Sequence, residues 1–180
     1  MKPYLLGIDI GTSACKVAVF EKSGTVVAAA NGDYPVYYPK EGWAEQNPEE
    51  WWSAVCQAVK KAIQKAGIAP EEIAGIGIDG QSWSAIAMDK DGNVLTNTPI
   101  WMDTRAQSIC DRLNEEIGAE QIFEVSGNSL QPSYTTAKIL WYKENLPEVY
   151  QRIHKILQSN SYIAYKLTGC LLYTSDAADE

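Results

Sequence analysis

The chain has 180 residues, 46% hydrophobic and 21% charged, enough for one sizeable core and short for two, so a single domain is the expectation. A formal net charge of −8 with no basic cluster argues against nucleic acid as a partner, and no apolar run approaches the roughly twenty residues of a membrane span. The start, Met1-Lys2-Pro3, lacks the apolar run of a secretory signal, which points to the cytoplasm.

Two apolar runs, Leu5-Leu6-Gly7-Ile8-Asp9-Ile10 and Lys16-Val17-Ala18-Val19-Phe20, flank Gly11-Thr12-Ser13 and predict a strand, a tight turn and a strand. A second turn at residues 21–24 leads into a third strand over 25–30, so three antiparallel strands precede any helix. A doubly wound dinucleotide fold would place a helix sooner. Asn47-Pro48-Glu49-Glu50 then supplies a capping residue, a first-turn proline and first-turn acids. The helix they open runs to about Ala66 and stops at Gly67.

Residues 73–78 read as a buried strand that delivers Asp79-Gly80-Gln81 to its end, where functional loops commonly sit. A hairpin with an Asp-Gly turn is expected over 84–95, helices over 105–117, 136–144 and 159–167, and a short strand over 155–157. The fold class is therefore α/β, a mixed sheet beginning with three antiparallel strands and flanked by helices. Cys15, Cys56, Cys110 and Cys170 stand far apart with no C-x-x-C pair, which predicts buried free thiols. His154 has no acid partner nearby in sequence and is assigned no chemistry, and Trp43, Trp51, Trp52 and Trp141 are expected to pack.

The first turn carries chemistry. Gly11 allows close approach, backbone amides with the Thr12 and Ser13 hydroxyls can donate to phosphate oxygens, Lys16 adds a cation, and Asp9 is a hard oxygen ligand suited to Mg²⁺ through water. Spacing alone fits equally an ordinary hairpin whose glycine serves the turn and whose aspartate caps it. The segment resembles the first phosphate loop of the actin-like ATPase fold shared by sugar kinases, actin and Hsp70-type chaperones.

Four further segments resemble the FGGY carbohydrate kinases, and within them the xylulokinases. They are Gly42-Trp43-Ala44-Glu45-Gln46-Asn47-Pro48, Gly77-Ile78-Asp79-Gly80-Gln81-Ser82-Trp83, Trp101-Met102-Asp103-Thr104-Arg105, and the run from Pro132 to Trp141. The resemblance implies an actin-like ATPase (ribonuclease H-like) domain over residues 1–169, with ATP and Mg²⁺ as cofactors and a small-molecule sugar as substrate. It further implies ATP-dependent phosphorylation of a sugar hydroxyl, D-xylulose to D-xylulose 5-phosphate first among the candidates.

A polyol needs fixed donors and acceptors and an aromatic or apolar wall, a mixture that Gln81, Ser82, Trp83 and Asp103 supply. Arg105, Ser133 and Tyr134 are secondary candidates. Asp103 and Arg105 also fit a helix N-terminal acid and its salt-bridge partner. The two positions after the Gly-Gln pair are the family's sugar contacts, here Ser82 and Trp83 where xylulokinases commonly have Met-His. This departure leaves another ketopentose, gluconate or a related polyol open, as well as a non-catalytic sugar-responsive regulator of the same fold.

One reverse translation of residues 170–180 resembles a transposon-end adapter used in preparing sequencing libraries, so this stretch is expected to be a foreign tail. The resemblance places the catalytic base and the adenine site beyond residue 169, which leaves no catalytic residue in this chain and predicts that it is inactive alone. Oligomeric state is left open, with a homodimer of the full-length protein allowed for.

Overall fold

The computed structural model describes residues 3–170. In chain order, β1 (Tyr4–Ile10), β2 (Ala14–Glu21), β3 (Val26–Asp33) and β4 (Glu45–Gln46) precede the long helix α1 (Pro48–Ala66). A 3₁₀ turn leads into β5 (Ile73–Gly80), β6 (Ile86–Met88) and β7 (Thr98–Pro99). After these come α2 (Gln107–Leu113), α3 (Ala119–Ser126), α4 (Thr135–Asn145), α5 (Pro147–Arg152), β8 (Lys155–Leu157) and α6 (Ser159–Thr168). Among the described residues no helix is long and apolar enough to cross a membrane.

The chain forms two compact units. One comprises Pro48–Gln81 with residues 3–35 and 159–170; the other is Val36–Asn47 with Ser82–Gln158. Each unit buries side chains of its own.

The first unit is built on a four-stranded sheet of order β3-β2-β1-β5, antiparallel except for the parallel β1–β5 pair. Alternation dictates its buried face: Leu6, Ile8 and Ile10 of β1 and Cys15, Val17 and Val19 of β2 are each buried. They share the core with Trp51, Ala54, Val55, Ala58 and Ala62, which recur at helical spacing along α1. α1 packs on β2 and β3, and α6 on β1 and β5. Close approach of α1 to β3 requires Gly32, where a Cβ would stand 2.7 Å from the carbonyl oxygen of Ala54.

The second unit has short ladders, β4 with β7 and β6 with β8, and a core of Ala85, Ala87, Ala106, Ile109, Cys110, Ala137, Trp141 and Tyr142. The expected Asp-Gly turn forms, with the Asp89 carboxylate accepting from the amides of Asp91 and Asn93. Its second strand reduces to a single bridge from Val94 to Met88, because β6 takes the distant β8 as its partner. The helix expected over 105–117 instead ends α2 at Leu113, passes through one π turn at Asn114–Gly118 and resumes as α3. Gly118, at φ 95°, marks the break, and Gly127, at φ 70°, ends α3.

Two of the four cysteine expectations need correction. Cys15 and Cys110 are buried, whereas Cys56 is half-buried and Cys170 exposed. Burial raises the thiol pKa of both Cys15 and Cys110. α6 ends as expected, with Gly169 at φ 69° donating its amide to Tyr165. Residues 171–180, nearly all of the stretch read as a foreign tail, lie outside the described residues.

Candidate functional site

In the first unit the turn after β1 is held from several directions. The Gly11 amide donates to the carbonyl of Ala14 at 3.1 Å, closing the turn, and a Cβ at Gly11 would come within 2.9 Å of that same oxygen. The carbonyl of Gly11 accepts the Tyr34 hydroxyl at 2.6 Å and the Gln81 side-chain amide at 3.4 Å. Burial raises the Tyr34 phenol well above its ordinary range, so it stays a donor at any ordinary pH. Thr12 is half-buried and Ser13 exposed.

Asp9 precedes this turn with its carboxylate half-exposed, 3.4 Å from the Lys16 amine. In the antiparallel ladder Lys16 is its direct partner, and in the parallel ladder Asp79 is. Asp9, Lys16 and Asp79 line one surface cavity of about 660 Å³ floored by Gly7, Ala18 and Phe20. Two neighbouring carboxylates at the ends of parallel strands fit a cation that keeps most of its water, as Mg²⁺ does. Among the described residues no group of three or more acids, histidines or cysteines forms a fuller metal cage.

Gln81 also belongs to this unit. Its amide N–H donates to Ile10 at 2.8 Å, its carbonyl accepts Ser159 Oγ at 2.8 Å, and its side chain serves Gly11. The sequence reading of Gln81 as a sugar contact did not anticipate this supporting role.

In the second unit Ser82 and Trp83 are exposed. Among the described residues Trp83 is the one non-glycine residue with positive φ, at 62°. An aromatic residue there stores backbone strain of about 1–3 kcal/mol, a feature that clusters at binding sites. Its ring lies 4.9 Å from that of the half-buried Tyr134, at an interplanar angle of 42°. With Ile122, Leu130 and the hydroxyls of Ser129 and Thr136 they line a cavity of about 490 Å³. Ser133 is half-buried beside Tyr134.

Asp103 departs from its sequence reading as a sugar acceptor, because its side chain has no exposed surface. Its oxygens accept from the Ala44 amide at 2.7 Å, the Arg105 amide at 3.0 Å, and Arg105 Nε and Nη2 at 2.8 and 2.7 Å. Arg105 also reaches Glu45 at 2.7 Å, and its guanidinium lies 3.9 and 4.9 Å from the ring centroids of Trp43 and Trp141. Burial opposes the Arg105 charge, yet its pKa is raised by these two carboxylates. This is the salt-bridge alternative carried through: the acid is spent on the fold, and Arg105 with it.

Sequence reasoning passed over Lys138. Its side chain is fully buried and donates to the carbonyl oxygens of Trp83 at 2.7 Å and Ile100 at 2.8 Å. The signal was present in the run Thr136-Ala137-Lys138-Ile139-Leu140-Trp141, where the lysine shares a helical face with Trp141 and Tyr142.

Comparison with known proteins places these features in context. The N-terminal domain model of the FGGY family of carbohydrate kinases matches residues 4–179, which takes in most of the tail stretch. The xylulose kinase of Bacillus subtilis (strain 168) is 33% identical over 97% of this chain and 35% of its own length. A glycerol kinase of Leifsonia xyli is equally 33% identical, over 94% of this chain and 34% of its own length. Among solved structures, gluconate kinase from Lactobacillus acidophilus superposes with a TM-score of 0.86 at 33% identity, covering 93% of this chain and 34% of that one. The chain thus spans about a third of the length of the curated relatives it matches.

Proposed function

Because the chain belongs to the FGGY family of carbohydrate kinases, as its N-terminal domain, we propose that the full-length protein phosphorylates a sugar hydroxyl with ATP. The substrate in this reading is D-xylulose and the product D-xylulose 5-phosphate, made in the cytoplasm. The observation that carries it is the juxtaposition of Asp9, Lys16 and Asp79 beside the pinned Gly11 turn. Support for xylulose comes from the similarity to the xylulose kinase of Bacillus subtilis.

The residues divide the work. Amides and hydroxyls of the Gly11-Thr12-Ser13 turn donate to phosphate oxygens of ATP, and Lys16 offsets their charge. Asp9, with Asp79 as its neighbour, would hold Mg²⁺, and the ion would supply charge stabilisation to the polyphosphate. Ser82 and Trp83 bind the sugar: the hydroxyl exchanges hydrogen bonds with sugar hydroxyls, and the indole offers a flat face to the C–H groups and one N–H donor. Ser133 and Tyr134 border this contact. No group in the chain is assigned as general base, a role we place in the remainder of the full-length protein.

A second reading, a gluconate or other polyol kinase, is favoured by one observation, the Ser82-Trp83 pair where xylulokinases commonly have Met-His. The test is ADP release by the complete gene product against D-xylulose, L-ribulose, glycerol and gluconate. The highest kcat/KM is expected with D-xylulose. A higher value with another acceptor replaces the substrate, and no acceptor-dependent ADP release removes the kinase reading in favour of a sugar-responsive regulator.

A further inference from the structure

Lys138 has a fully buried side chain, yet among the described residues no carboxylate accepts from its amine, which donates to two main-chain carbonyls. A buried amine is costly, and methionine, of similar length, would fill the same space without that cost. What lysine offers over methionine at this depth is an amine that donates to two carbonyls at once. One bond goes to Trp83, at positive φ, and the other to Ile100, the residue before Trp101.

Groups at the start of α4 and just before it act on the same loop. Thr135 Oγ1 donates to the carbonyl of Ser84, and the Tyr134 ring packs on Trp83. Released from these ties, a tryptophan would leave positive φ for the extended or right-handed helical regions that L-residues prefer.

We propose that Lys138 is a positioning residue for sugar recognition, one amine fastening the Trp83 and Ile100 carbonyls so that Trp83 is held at positive φ with its indole face presented. The sugar part of this proposal rests on the reading of Trp83 as a sugar contact. The backbone part does not.

The experiment therefore has two arms, both in the complete gene product. In the first, glycine and alanine are compared at position 83, since glycine tolerates positive φ and alanine does not. With Lys138 present, W83G should melt above W83A by about 3 °C. In the K138M background that gap should vanish or reverse, because the freed backbone no longer needs glycine. A lysine that merely fills the core predicts the same gap in both backgrounds, which would overturn the proposal. K138Q, which shortens the donor but keeps the site polar, carries the same expectation if K138M does not fold. Failure of both to fold while W83G and W83A do would assign Lys138 to the core and likewise overturn it.

In the second arm K138M alone should raise the sugar KM about tenfold while leaving the ATP KM within about twofold of wild type. An unchanged sugar KM with lowered kcat or yield contradicts positioning. If the wild type turns over no sugar, the kinase reading falls, and the glycine–alanine comparison still decides the clamp.

Discussion

The Tyr34 hydroxyl donates to the carbonyl oxygen of Gly11 at 2.6 Å, across 23 positions of sequence. The turn proposed to face the polyphosphate is thereby tied by a buried side chain. Tyr34→Phe keeps the ring and removes only this bond. It should cost about 1 kcal/mol in thermal unfolding and raise the ATP KM with the sugar KM unchanged. An ATP KM equal to wild type would show that the turn holds its shape without Tyr34.

Asp9→Asn separates fold from chemistry. The Asp9–Lys16 pair is substantially exposed at both ends, so its loss should leave the melting temperature nearly unmoved. Turnover, by contrast, should fall by about two orders of magnitude and require more Mg²⁺ for half-saturation. Full activity at ordinary Mg²⁺ would remove Asp9 from the metal site.

Arg105 is expected to be among the most sensitive positions in the second unit. Arg105→Met leaves Asp103 buried without its partner and should destabilise the protein by about 3–5 kcal/mol, read by denaturant unfolding. Arg105→Lys should recover little, because an ammonium cannot make the paired Nε and Nη2 contacts to Asp103 or lie as flat against Trp43. Near-complete rescue by lysine would mean that charge alone matters there.

Lys138 makes stability depend on pH in a stated direction. Burial lowers its pKa to about 7, with Asp103 raising and Arg105 lowering it further, while in the unfolded chain it keeps the ordinary 10.5. Below pH 7 both states are protonated, and the full cost of burying the charge is felt. Between pH 7 and about 10 the unfolded chain binds the extra proton, so stability should rise with pH, and K138M should flatten that rise. A wild-type profile as flat as that of the variant would show that the buried amine keeps its charge.

Much of the first unit was legible in sequence because its rules are local. Alternation along β1 and β2, the Pro48-Glu49-Glu50 opening of α1 and the glycine after its end each act within a few residues. The second unit resisted for the opposite reason. β6 pairs with a strand about 70 positions away, β4 and β7 are two residues each, and α3 buries no side chain of its own, with Phe123 and Val125 exposed. α5 carries local cues of its own, Pro147 in its first turn and Glu148 beside it. Among the pocket residues, type and spacing singled out Trp83 but could not give its φ. Residue type gives Asp103 acceptor capacity but not the tertiary contacts with Ala44 and Arg105 that already use it.

The two buried thiols stand one in each unit, Cys15 on β2 and Cys110 on α2. A thiol under that cover reacts with an alkylating reagent only while the structure around it is open. The pair is therefore a set of native clocks: the alkylation rate of Cys15 times the opening of the sheet unit, and that of Cys110 the opening of the helical unit. Unequal rates under native conditions would resolve the chain into two separately opening parts, and equal rates would make it one cooperative body.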